Sequence, residues 1–320
     1  MPDAPEFDVV TRDVPTAYFF GVTTGRSLSR RMFPRWAEIL GLGNAELVGL
    51  DLPINGPAEV YRRAIYQIKC DPLSLGAVIT THKLNTLSAA RDLFDVLTAE
   101  AQLTQEVASV YKRDGKLVGH AVDPITSGLS MQQFVPPGTW NRSKAHILCL
   151  GAGGSATAIS VYLTRTLPPE DRPTRVIFVN RGRPRLDSLR DLLDTHMPAS
   201  GIEFEFVENS DPAANDRLMA ALPPGSMVIN ATGMGKDTPG SPITDEGVFP
   251  QGGFAWELNY RGELDFLHQA ERQRAARNLT VVDGWYYFLA GWSMIVGQIF
   301  DVDITPALFN ELRAAAEALR

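Results

Sequence analysis

The 320-residue chain has little cysteine: only Cys70 and Cys149, with no Cys-x-x-Cys spacing. That excludes a disulfide scaffold and argues against zinc, so no metal site is expected. Cys149 lies within an apolar run and reads as a core thiol. No apolar run approaches the ~20 residues needed to span a bilayer. The opening MPDAPEFDVV lacks the basic start and apolar stretch of a signal peptide, so a cytoplasmic protein without membrane association is expected. Positive charge is not in excess either. A net charge of −7 excludes nucleic-acid binding through a generally basic surface. Internal repeats and low-complexity tracts are absent.

What remains is a globular composition, 44% hydrophobic and 21% charged, in a length that suits two domains. Strand-like and helix-like stretches alternate, which predicts an α/β fold. Residues 17–22, 46–54 and 75–83 read as strands. Residues 32–42, 58–70 and 85–104 read as helices. A hairpin is expected around Asp114-Gly115, within 107–122. The Pro/Gly-rich VPPGTWNRSK (135–144) reads as a crossover between domains. A second series follows, with strands near 145–150, 176–180, 203–208, 227–233, 253–260 and 278–284 and helices over 155–166, 185–195 and 211–222. An apolar helix over 288–304 precedes a terminal helix, with Thr305 as N-cap and Pro306 at its first position.

The most informative stretch is AHILCLGAGGSA (145–156), a strand running into a glycine-rich turn. Gly151, Gly153 and Ala156 fit G-x-G-x-x-A. Gly151 serves the tight turn, Gly153 admits a pyrophosphate close to the backbone, and Ala156 allows close helix–strand packing. The following helix offers free N–H groups to phosphates. With Ala152, Gly154 and Ser155, these residues form the expected cofactor turn. The next strand, VIFV, ends in Asn180 and then Arg181, Arg183 and Arg185. An NAD site usually has an acid there for the ribose 2′-hydroxyl; arginines suit a 2′-phosphate. The cofactor expected is therefore NADP(H), held by Asn180, Arg181 and Arg185, with Arg183 evenly balanced between contact and solvent. Asp187, the rival acid, falls in the following helix. NATGMG (230–235) ends another strand, where Ala231, Thr232, Gly233 and Met234 offer small residues and backbone to the nicotinamide ribose; a simple tight turn is the other reading.

Hydride transfer from an alcohol needs a group that takes the proton. Lys83, at the end of VITTHK, and Asp123, at the end of GHAVD, are the candidates. By spacing alone they read as a surface ion pair. A lysine oriented by a carboxylate can also relay a proton. His82 and His120 are alternative carriers, although alternation along a strand turns each away from its neighbour.

Several segments occur together in one order: SLS (27–29), the strand ending in THK (76–83), DGKLVGHAVDPITSG (114–128), GAGGSA (151–156), NRGRPR (180–185), NATGMG (230–235) and GWSMIVGQ (291–298). In these the chain resembles the shikimate dehydrogenases and the related quinate/shikimate dehydrogenases, over about residues 17–300. The resemblance implies an α/β fold of two domains: a substrate domain with a mostly parallel sheet (1–137) and an NADP-binding Rossmann domain (138–284). The last helices (285–320) would return to the first domain, with the active site in the cleft between. It implies Lys83 as the catalytic lysine and Asp123 as its partner. It places the substrate carboxylate at Ser27 and Ser29, with Thr80 nearby and Gln298 at the hydroxyls. Gly291 and Met294 fall where the family packs the nicotinamide.

The substrate half departs from the family pattern. VITTHK is shorter than N-V-T-x-P-x-K. Within EVASV, Ala108 stands where an asparagine is expected, and Ala121-Val122-Asp123 replaces Asn-Thr-Asp. Asn259 stands at the family's tyrosine, with Tyr260 one residue late. Each missing amide removes a hydrogen bond worth on the order of 1–3 kcal/mol to a buried hydroxyl. His120 and Tyr260 are the candidate replacement contacts, packing being the other reading for each. The expected activity is interconversion of an alcohol and a ketone on a shikimate-like cyclic hydroxy-carboxylate. The alternatives are a dehydrogenase of quinate or an amino-substituted analogue, or a non-catalytic NADP-binding sensor. The expected partner is a small molecule, and the chain is expected as a monomer or homodimer.

Overall fold

The computed structural model describes residues 6–236 and 238–320, so half of the MPDAPEFDVV stretch lies outside the described residues. The chain divides into two compact units: 1–122 together with 291–320, and 123–290.

The first unit holds β1 (Thr16–Gly21), α1 (Ser29–Ile39), β2 (Glu46–Asp51), α2 (Ala58–Cys70), β3 (Ser74–Ile79), α3 (Lys83–Ala90), β4 (Val96–Leu97), α4 (Ala99–Thr104), β5 (Ser109–Arg113) and β6 (Lys116–His120). Its six strands are ordered β2-β1-β3-β5-β6-β4. Only β5 runs against its neighbours. One face buries Tyr18, Phe20, Ile65, Ile68, Ile79 and Val110 in a common apolar core.

The second unit holds α5 (Asp123–Met131), α6 (Thr139–Ser143), β7 (His146–Leu150), α7 (Gly154–Val161), β8 (Arg175–Asn180), α8 (Arg183–His196), β9 (Glu203–Glu208), α9 (Pro212–Ala220), β10 (Met227–Asn230), β11 (Phe254–Glu257), α10 (Asp265–Arg277) and β12 (Thr280–Val282). Its order is β12-β11-β10-β7-β8-β9, every pair parallel. Counted from β7, this is the doubly wound 3-2-1-4-5-6 order of the Rossmann fold. α11 (Trp285–Phe300) carries the chain from the second unit back into the first, and α12 (Pro306–Glu317) follows. Thr305 caps α12 as expected, its hydroxyl accepting from Leu308 N at 3.2 Å. No described helix is long and apolar enough to cross a membrane.

Three local expectations need correction. The helix expected over 85–104 is broken into α3, a 3₁₀ turn, β4 and α4. Asp95 accepts from Leu117 N at 2.8 Å, drawing the chain into the sheet beside β6. Thr98 then recaps α4 by accepting from Ala101 N at 3.3 Å. The expected strands at 75–83 and 107–122 stop early, at Ile79 and His120, so Lys83 and Asp123 open helices α3 and α5 instead of closing strands. Finally, 135–144 is not a crossover. The Asp171 carboxylate accepts from the N–H groups of Gly138, Trp140 and Asn141 at 2.5, 3.1 and 3.2 Å, tying α6 into the second unit. α5, expected in the first domain, belongs there too. It lies against the α7 segment, where a Cβ at Gly128 would come within 2.3 Å of the Tyr162 ring. The chain therefore changes unit at 122/123 and 290/291, where the sequence reading has 137/138 and 284/285.

Candidate active site

In the second unit, the glycine turn stands between β7 and α7, at the switch point where the strand order reverses. Gly151 has φ +116°, and a Cβ on it would lie 2.5 Å from the Ala231 carbonyl oxygen. Ala231 N donates to Leu150 O at 2.7 Å, so the turn and the NATGMG loop are fixed side by side. Gly153 differs: an added Cβ would meet nothing within 4 Å, and the same holds at Gly233 and Gly291. No side chain caps α7, which leaves its first N–H groups to an anion. Ala152 and Ala156 are buried, whereas Gly154 and Ser155 are half-buried.

At the end of β8, Asn180 Nδ2 donates to Gly182 O at 2.9 Å and shapes the bend. The three arginines beyond it separate. Arg183 pairs with Glu208 at 3.1 Å. Arg181 and Arg185 are exposed and make no ion pair among the described residues. Asp187 lies on α8 and pairs with Arg190 at 3.5 Å. The arrangement fits a dinucleotide carrying an additional phosphate: open backbone at Gly153 and two uncommitted guanidiniums.

Sequence reasoning missed a fully enclosed acid of this unit. Glu257, an acid closing the apolar strand β11, is fully buried. Its Oε1 accepts from Asn259 N at 2.8 Å and Asn259 Nδ2 at 2.7 Å. Both Asn230 and Asn259 also donate to Met234 O, at 3.3 and 3.1 Å. Thr232 N and Oγ1 donate to Asn230 Oδ1 at 3.1 and 2.7 Å. The NATGMG loop is thus held from below by one carboxyl and two amides. The signal was an acid ending an otherwise apolar strand. Tyr260 lies next to this network but stacks its ring on Phe288 at 4.0 Å, with Trp285 at 5.9 Å.

In the first unit, Ser27 Oγ and Ser29 Oγ are 2.7 Å apart at the start of α1. Thr80 spends its hydroxyl on Phe20 O at 3.1 Å. Lys83 is half-buried at the first position of α3. His82 is enclosed beside Tyr61, Nδ1 to OH 3.4 Å, and burial lowers its pKa, so it is a neutral packing residue. Ala121 belongs to the apolar core and Ala108 is equally buried. Two expected candidates do meet: Gln298 Nε2 lies 2.9 Å from His120 Nδ1. On α11, Gly291, Met294 and Gln298 share one half-buried face through spacings of three and four. Asp123, in the second unit, is buried at the start of α5, where its carbonyl accepts from Ser127 Oγ at 2.6 Å. Among the described residues no cluster of His, Cys, Asp and Glu could hold a metal ion.

No protein-family model matches the sequence. A shikimate dehydrogenase (NADP(+)) of Streptococcus thermophilus is 29% identical over 184 residues, which is 56% of this chain and 58% of that protein. One from Exiguobacterium is 28% identical over 204 residues, 64% of this chain and 62% of its own length. In sequence the chain is thus similar to shikimate dehydrogenases over part of its length. Solved structures agree in fold. Shikimate dehydrogenase from Aquifex aeolicus aligns with a TM-score of 0.72 at 20% identity, over 97% of this chain and 99% of that one. Quinate dehydrogenase from Corynebacterium glutamicum, solved with NAD, aligns with a TM-score of 0.71 at 17% identity, over 96% and 100%. The sequence alignments with the shikimate dehydrogenases span less than two thirds of those relatives, whereas the fold matches along nearly the whole chain.

Proposed function

We propose that the chain is an NADP(H)-dependent oxidoreductase that interconverts an alcohol and a ketone on a shikimate-like cyclic hydroxy-carboxylate. The observation that carries this reading is the doubly wound sheet whose switch point presents an open Gly153 turn beside two uncommitted arginines, Arg181 and Arg185. The name shared by the sequence relatives, shikimate dehydrogenase (NADP(+)), supports NADP and the substrate class. Gly151–Ala156 and the α7 N-terminus would hold the pyrophosphate. Arg181 and Arg185, with Asn180, would hold the 2′-phosphate. Ala231–Met234, Gly291 and Met294 would receive the nicotinamide end, and the bound cofactor supplies the hydride chemistry.

Ser27 and Ser29, whose hydroxyls already lie together, bind the substrate carboxylate. Lys83 takes the hydroxyl proton on oxidation and returns it on reduction, with Asp123 as its partner. Ala108 and Ala121 favour a second reading of the substrate: with two methyl groups buried where the family carries amides, quinate or an amino-substituted analogue is the alternative. A panel of cyclic hydroxy acids with NADP⁺, followed by NADPH absorbance, tests both readings. Turnover on none of them, with NADPH still bound, would make the protein a sensor instead.

A further inference from the structure

Gln298 carries an enclosed Oε1 with no hydrogen-bond partner among the described residues. A buried carbonyl oxygen without a donor is unfavourable, so a donor from outside the chain is called for. The other half of the same amide is occupied, since Nε2 lies 2.9 Å from His120 Nδ1.

The opposite ring nitrogen decides the direction of that bond. His120 Nε2 faces Glu100 Oε2 at 3.7 Å. A carboxylate there favours the tautomer with the proton on Nε2. Nδ1 is then a lone pair that only accepts, and Gln298 must offer it N–H. Burial lowers the imidazole pKa against the pull of Glu100, which keeps the ring singly protonated at neutral pH. The backbone at 298 is fixed independently. Arg113 donates to the Gln298 carbonyl at 3.2 Å and pairs with Asp301. Gly76 on β3 admits the neighbouring Ile299, since a Cβ there would lie 3.0 Å from Ile299 Cγ1. The amide is therefore oriented from β6 and α4 while its helix is held from β3 and β5.

We propose that His120 is the positioning residue for Gln298: it engages the amide NH₂, leaves Oε1 as the acceptor, and so selects a substrate that presents an O–H or N–H donor there. The substrate class rests on the oxidoreductase reading above; the orientation of the amide does not. With Ala108 and Ala121 unable to hydrogen-bond through their side chains, this contact gains weight in choosing the substrate.

Two experiments test the proposal. In protein labelled with ¹⁵N-histidine, the His120 signals, assigned by their loss in His120→Asn, should report the tautomer protonated at Nε2. Protonation at Nδ1 would overturn it, because His120 would then donate to Oε1. Kinetically, His120→Phe keeps the ring volume without an acceptor. It should raise KM for the best hydroxy acid about tenfold, the loss of one hydrogen bond, with kcat within about threefold. His120→Asn, whose Oδ1 can still accept, should keep KM within about threefold of wild type. Unchanged KM in His120→Phe, or an equal loss in both variants, would overturn the proposal. If the wild-type chain turns over no hydroxy acid, the oxidoreductase reading fails, and the tautomer measurement still decides the arrangement at Gln298.

Discussion

Asn230 Nδ2 donates to Glu257 Oε2 across 2.6 Å, and both side chains are fully enclosed. Burial pushes the Glu257 carboxyl up to about 7 from an ordinary 4.5, against the donors around it. The folded chain therefore holds a proton that the unfolded chain releases. Stability from this group is complete below about pH 4.5 and is lost as the pH rises to about 7, by up to about 3 kcal/mol. Urea denaturation from pH 5 to 8 should show Glu257→Gln lacking that part of the wild-type slope. An identical slope in the variant would refute it.

The two glycines of the cofactor turn should separate stability from binding. Gly151→Ala places a Cβ 2.5 Å from the Ala231 carbonyl at φ +116°, so it should destabilise the protein by about 1–3 kcal/mol. Gly153→Ala meets open space. It should leave the melting temperature unchanged and weaken NADP binding, as read by calorimetric titration.

Arg181 and Arg185 should set cofactor preference. The double change to Ala should raise KM for NADP⁺ about 10- to 100-fold, the loss of charge-assisted bonds to one phosphate, with little effect on NAD⁺. Arg183→Ala should do less, because Glu208 already occupies that guanidinium.

The second unit was the more legible half. Its strands are short apolar runs bounded by glycine turns, and local chemistry carries the cofactor signal: Gly151 needs its positive φ, and Arg181 follows its strand directly. Strand alternation fixed less in the first unit. The break between α3 and α4 depends on Asp95 bonding Leu117 N, a contact between residues distant in sequence. The capping of 138–141 by Asp171 is similarly non-local, which is why VPPGTWNRSK looked like a linker. Glu257 went unnoticed inside the expected 253–260 strand, because burial of an acid is invisible until the two asparagines that satisfy it are placed. His120 and Gln298 were separate candidates, and only the fold brings them together.

In the proposed reaction the chain oxidises a cyclic hydroxy acid and Lys83 takes the proton. Steady-state reduction of NADP⁺ by shikimate, quinate and an amino-substituted analogue, run on wild type and Lys83→Ala beside NADPH titration of both, tests it most directly. Wild type should turn over at least one acid, and the variant should lose at least about 100-fold in kcat at equal NADPH affinity. Full turnover by Lys83→Ala would contradict it.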